Sequence, residues 1–144
     1  MAQTIGSKGR VTTIEVGKEF AEIAKENFER HGCSDQIELI NGDASSVLKK
    51  LNSKAFDFIY IDGSKENYLA YALESERLVS NKGLIVVDDV FFHGDALSNT
   101  PKTEKGKGCR ELLDYYSNND SCSAMLLPIF NGVLILFDFN GVSS

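Results

Sequence analysis

The sequence predicts an α/β fold in which a mainly parallel, doubly wound sheet closes with an antiparallel hairpin. Three observations carry this. Short apolar runs alternate with amphipathic segments from residue 11 to residue 88. Those runs show little in/out alternation, as expected when helices cover both faces of a parallel sheet. The last two runs, 123–129 and 132–138, are separated by so few residues that no crossover helix fits, so they should pair as a hairpin.

In chain order, VTTIEV (11–16) is β-branched and reads as the first strand. The segment 18–31 carries Phe20, Ile23, Ala24 and Phe28 on one helical face, and Gly32 stops it. A strand over 36–40 and a short helix over 43–52, with Val47, Leu48 and Leu51 inward, come next. The strand 56–61 leads to a helix over 66–80 with Leu69, Ala72, Leu73 and Leu78 inward, and Gly83 opens the strand 84–88. A helix is expected near 105–118, although the glycine- and lysine-rich stretch PKTEKGKGCR at its start reads as a mobile loop.

With 144 residues, 42% of them hydrophobic, the chain suffices for one compact core, and no Pro/Gly/Ser-rich stretch divides it, so residues 1–144 are expected to form a single domain. A net charge of −6 and the lack of a basic stripe argue against a nucleic-acid groove. Cys33, Cys109 and Cys122 are odd in number and widely spaced, which suggests neither a disulfide framework nor a zinc knuckle and fits a reducing cytoplasm. No apolar run approaches the ~20 residues of a bilayer span, and the first residues lack a signal-peptide pattern. No membrane partner is expected.

The chemistry is concentrated in acids that close the strands: Glu15, Asp43, Asp62 and the pair Asp88-Asp89. In an open α/β sheet ligands bind at the carboxyl edge of the strands. Asp62, Asp88 and Asp89 are hard oxygen ligands suited to Mg²⁺, Mn²⁺ or Ca²⁺, and a cation would relieve their mutual repulsion. The alternative makes Asp88 a helix cap and Asp89 a solvent-facing acid. Lys65, three residues after Asp62, can reach the same place; beside a cation its pKa would fall and its amine could take a proton from a hydroxyl, whereas a plain surface lysine is the alternative. Glu15 is placed to accept from ribose hydroxyls and Asp43 from an adenine amine, and either could instead be a helix cap or a solvated acid. Tyr68 and His93 are the candidates for a substrate mouth, against packing for the one and an idle loop position for the other.

Taken together, VTTIEVGKEFAEIAKENF, ELINGDA, FDFIYIDGSKENY and GLIVVDDVFFHG resemble the cation-dependent O-methyltransferases that include the caffeoyl-CoA and catechol enzymes. The resemblance extends to LLPIFNG, where that family commonly has a Leu-Pro-x-Gly-Asp-Gly type turn. It implies a Rossmann-like methyltransferase sheet, S-adenosylmethionine and a divalent cation as cofactors, and a small hydroxylated substrate such as a catechol; a hydroxylated RNA base also offers the required hydroxyl. By the resemblance Asp62, Asp88 and Asp89 hold the metal, Mg²⁺ foremost, and Lys65 is the general base. Glu15 binds the ribose, Asp43 and Ala44 meet the adenine, and Asp62 also serves the cofactor. Two departures stand out. Asp89 occupies a position where the family usually has Asn, and the family's first strand and glycine-rich loop have no counterpart after Met1. That strand would lie between 11–16 and 56–61, so each of these should keep an edge without a partner. A homodimer is expected of the full-length protein.

Two further readings follow: a methyltransferase-fold fragment that binds a cation without transferring methyl groups, and a phosphoacceptor receiver. The receiver is disfavoured because its acidic pair should precede its lysine, whereas Asp62 and Lys65 come before Asp88-Asp89. A nicotinamide dehydrogenase would use Glu15 but leaves Lys65 and the acidic pair unexplained.

Overall fold

A computed structural model describes residues 1–139, which fall into two compact units divided after Lys50. In the first, β1 (Val11–Glu15) leads through α1 (Lys18–Arg30) to β2 (Ile37–Asn41), then to α2 (Ala44–Leu48). The crossover makes β1 and β2 parallel, in register from Val11 opposite Ile37 to Glu15 opposite Asn41. Of the stripe expected to face inward on α1, Phe20 is 67% exposed and Ile23 is exposed as well, while the buried residue is Ala21. Ala24 and Phe28, of the same stripe, are half-buried, so the two-stranded sheet encloses only part of the helix's apolar face. The second helix is shorter than the expected 43–52, ending at Leu48.

The second unit is a four-stranded sheet in the order β3-β4-β6-β5. It comprises β3 (Phe56–Ile61), α3 (Tyr68–Leu78), β4 (Val79–Asp88), α4 (Glu104–Ser117), β5 (Ser123–Leu127) and β6 (Val133–Phe137). As the short link dictated, β5 and β6 form an antiparallel hairpin, and β6 also pairs antiparallel with β4. β3 pairs parallel with β4, with a register shift between Phe56 and Phe58. That pairing explains why α3 stops at Leu78: Val79 already lies opposite Phe56. Among the described residues β1 pairs with β2 and β3 with β4.

The core of this unit lies between the sheet and α3 and α4. Tyr68, Leu78, Val79, Ile85, Val87, Leu112 and Leu136 are fully buried there. Leu73, expected inward, is exposed; Tyr68, Tyr71 and Ser75 face the core in its place. Of the stretch read as a mobile loop, residues 104–110 are the amino-terminal half of α4, capped by the Thr103 hydroxyl, which accepts from the Gly106 amide at 2.9 Å. No helix among the described residues is long and apolar enough to cross a membrane.

Candidate active site

Asp62 directly follows β3, and Asp88 closes the neighbouring parallel strand β4, so the ladder alone brings these acids to one carboxyl edge. A short 3-10 turn, Lys65–Asn67, then turns the chain into α3 and aims Lys65 back at that edge. Its ammonium Nζ lies 2.9 Å from Asp89 Oδ2 and 3.7 Å from Asp62 Oδ1. It also donates to the Tyr68 hydroxyl at 3.3 Å. The Lys65 side chain is 12% exposed, against 24% for Asp89 and 54% for Asp62. The tight pair is therefore Lys65 with Asp89, and Asp62 stands at the solvent side.

The partners of Lys65 set its protonation. Burial acts to lower its pKa, but the hydrogen bonds with Asp89 and Tyr68 and the charge of Asp89 prevail and hold it above the ordinary lysine value. In this arrangement the lysine itself is the counter-charge of Asp89 and Asp62. Of the two expectations for Tyr68, substrate mouth or packing, packing is what the structure shows. It is fully buried, its hydroxyl donates to the Asp88 carbonyl at 3.0 Å, and burial above all pushes its pKa up to about 12. It supports Lys65 and β4 and offers no open face to a substrate.

The sequence reading missed Tyr60, whose hydroxyl donates to Asp88 Oδ2 at 2.5 Å. Its register partner is Val86, two residues before Asp88, so both side chains stand on one face of the sheet. That bond, followed by burial and the charge of Asp88, pushes the Tyr60 pKa up to about 12. The other oxygen of Asp88 accepts from the Asp89 amide at 2.8 Å. Asp89 itself has φ +56°, a left-handed conformation uncommon for a side-chain-bearing residue. The β5–β6 loop steadies this corner, since Val90 and Phe91 donate their amides to the carbonyls of Gly132 and Asn131. Gly132, at φ +84°, lies flat against the Phe91 ring, where a Cβ would come within 2.6 Å of it.

A cation site is only partly prepared. Asp89 Oδ1 is buried and makes no hydrogen bond, the kind of hard oxygen a divalent ion would take. Yet among the described residues no three His, Cys, Asp or Glu side chains are gathered as a ligand set. Lys65 stands beside two of the three expected ligands, Asp62 and Asp89, and both oxygens of Asp88 are engaged within the protein.

The remaining candidates are placed as follows. His93 is exposed, at φ +54°, with its ring 5.4 Å from that of Phe92. In the first unit Glu15 accepts from the Gly17 amide at 2.7 Å at the entry to α1. Asp43 caps α2, its Oδ2 accepting from the amide and the hydroxyl of Ser46, each at 3.0 Å, with Ala44 the next residue. The cap reading of Asp43 is therefore realised in this structure.

An α/β unit whose parallel strands end in acids beside a half-buried lysine belongs to the ligand-binding doubly wound class. Comparison with known proteins makes this definite: the O-methyltransferase family profile matches residues 1–137, and the chain belongs to that family. It is 37% identical over 112 residues to the catechol O-methyltransferase of Mycobacterium tuberculosis, an alignment spanning 78% of this chain and 51% of that protein. It is 28% identical to a probable caffeoyl-CoA O-methyltransferase of Dictyostelium discoideum, over 96% of this chain and 62% of that one. Among solved structures, the Bacillus cereus O-methyltransferase in complex with SAH superposes with a TM-score of 0.85 at 28% identity, covering 94% of this chain and 66% of that one. Cofactor-bound Rv0187 from M. tuberculosis gives 0.86 at 30% identity, covering 96% and 66%. The chain thus spans about half the length of the catechol enzyme it matches.

Proposed function

We propose that this chain carries the catalytic edge of an S-adenosylmethionine-dependent O-methyltransferase acting on a hydroxyl of a catechol-like or other small hydroxylated acceptor. The observation that carries the proposal is the Lys65 nitrogen, enclosed, 2.9 Å from Asp89 and within reach of half-exposed Asp62. A group so placed meets the acceptor hydroxyl from the protein side. The hydroxyl oxygen attacks the sulfonium methyl in line, the C–S bond breaks as the O–C bond forms, and the hydroxyl proton passes to Nζ of Lys65 in its neutral amine form. Tyr68 holds the amine in line by its hydrogen bond, and Tyr60 fixes the Asp88 carboxylate. Support for the methyl donor comes from the family and from the SAH complex of the B. cereus relative. Glu15 would accept from its ribose hydroxyls, Asp43 and Ala44 would meet its adenine, and Asp62 would serve it as well.

Asp62, Asp88 and Asp89 would hold a divalent cation, Mg²⁺ foremost, which when bound lowers the pKa of an acceptor hydroxyl. The unpartnered Asp89 Oδ1 favours this, and the aspartate in place of the family's usual Asn adds negative charge. Lys65 would then no longer be needed as their counter-charge, which is what frees it to act as a base. The second reading, a fragment that transfers no methyl group, is favoured by the salt bridge that holds Lys65 protonated.

Calorimetric titration of the chain with S-adenosylmethionine, with and without Mg²⁺, decides between them. Micromolar affinity is expected of the methyltransferase; affinity only in the millimolar range or none rejects it.

A further inference from the structure

We infer that Gly108, in the half of α4 whose composition suggested a loop, is a positioning residue that holds Lys65 at the carboxylates. Gly108 is buried, and its backbone lies directly against the turn that carries Lys65. A Cβ there would overlap the Lys65 carbonyl oxygen and come within 2.6 Å of Glu66 Cα and 2.9 Å of the Glu66 carbonyl carbon. All three atoms are backbone, so no rotamer change relieves the clash; either the turn or the helix must move. The next residue completes the contact: Cys109 is fully buried and its thiol lies 3.8 Å from the Asp89 carbonyl. One step of α4 therefore supports both members of the Lys65–Asp89 pair. The helix is in turn fastened at its middle, where Arg110 donates to the carbonyls of Ala96 and Ser98 at 3.3 and 3.1 Å.

Inside a helix, alanine is ordinarily the better residue and glycine the poorer one. Gly108 keeps the poorer residue where close approach to the lysine turn demands it. The positional claim stands on this geometry alone; its catalytic consequence rests on the proposal that Lys65 is the base.

The test is Gly108→Ala in the full chain, with Leu112→Val as comparator. Leu112 is fully buried in the same helix, so its truncation loosens the core without placing a Cβ against the Lys65 carbonyl. Acetylation of Lys65 by N-hydroxysuccinimide acetate is followed by peptide mass spectrometry relative to exposed Lys25. Gly108→Ala is expected to speed Lys65 modification roughly tenfold while Leu112→Val at matched loss of Tm leaves it near the wild-type rate. An unchanged rate in Gly108→Ala, or an equal rise in both variants, overturns the inference. If Gly108→Ala does not fold, native-state hydrogen exchange of the wild type decides. The Asn67 and Tyr68 amides must then open together with those of Gly108 and Cys109, and a lysine turn that exchanges while α4 stays protected refutes the contact. In a methyl-transfer assay Gly108→Ala should lower kcat and leave the KM for the methyl donor unchanged. Absence of transfer in the wild type would count against the proposed function and leave the labelling result to judge the positioning claim.

Discussion

Replacing Lys65 by methionine removes the ammonium and keeps most of the side-chain volume, and its consequence can be worked from the geometry. Asp89 would lose a charge-assisted partner at 2.9 Å while one of its oxygens is already buried without a hydrogen bond. Hydrogen bonds to charged groups are worth about 1.5–3 kcal/mol, and stranding one member of a fully buried ion pair costs ~3–5 kcal/mol. Asp89 retains 24% exposure, so water recovers part of that loss and about 2 kcal/mol is expected. For a chain of this size that is a fall in Tm of roughly 6–10 °C. The sign of the pH dependence follows from the raised pKa of Lys65. Its stabilisation is fully present below the unfolded lysine value and disappears as pH rises through the higher folded one, so neutral pH shows the whole effect. Thermal unfolding by circular dichroism in EDTA at pH 7 measures it. The same argument predicts that Mn²⁺ restores stability to Lys65→Met more than to the wild type, because the carboxylates then have no other counter-charge. A variant as stable as the wild type in EDTA, with no preferential response to Mn²⁺, would refute the reasoning.

Other expectations are more local. Tyr60→Phe removes only the hydroxyl on Asp88; being half exposed it should cost no more than about 1 kcal/mol, while ultraviolet titration loses a tyrosine ionising near pH 12. Equal titration curves would contradict the assignment. Tyr116→Phe deletes a buried hydrogen bond to Glu76 at 2.6 Å and should destabilise by about 1–2 kcal/mol in urea titration; no change in midpoint would contradict it. Asp95 accepts from the amides of Lys102 and Thr103 and from the Thr103 hydroxyl, and the Lys102 amide leads in holding its pKa below the usual carboxylate value. Its contribution is therefore present above the unfolded carboxylate pKa and lost as pH falls through the folded one, so Asp95→Asn should flatten the acid limb of stability against pH. An acid limb identical to that of the wild type would argue against it.

The strands were legible because parallel strands buried on both faces are continuous apolar runs, and because a link as short as that before Gly132 permits only a hairpin. The acids at their ends were legible for the same reason: once the strands are placed, Asp62 and Asp88 must share an edge. What escaped depended on close approach and register, which composition does not carry. KGKG reads as a solvated loop, yet its glycines are where α4 comes against Asp95 and the Lys65 turn. Tyr60 looked like an ordinary strand aromatic until the pairing of β3 with β4 set it two residues from Asp88. The face of α1 was read from helical periodicity alone, but which part of it is buried depends on how many strands lie beneath it. The pairing of Lys65 with Asp89 escaped because it depends on a separation of 2.9 Å, and residue spacing carries no such distance.

The central claim is that Lys65 receives the proton of the attacked hydroxyl. It is tested most directly by single-turnover methyl transfer from S-adenosylmethionine to a catechol with Mg²⁺, comparing the wild type with Lys65→Met at matched donor occupancy. The account predicts transfer by the wild type and a loss of about a hundredfold or more in the variant; equal rates in the two proteins would contradict it.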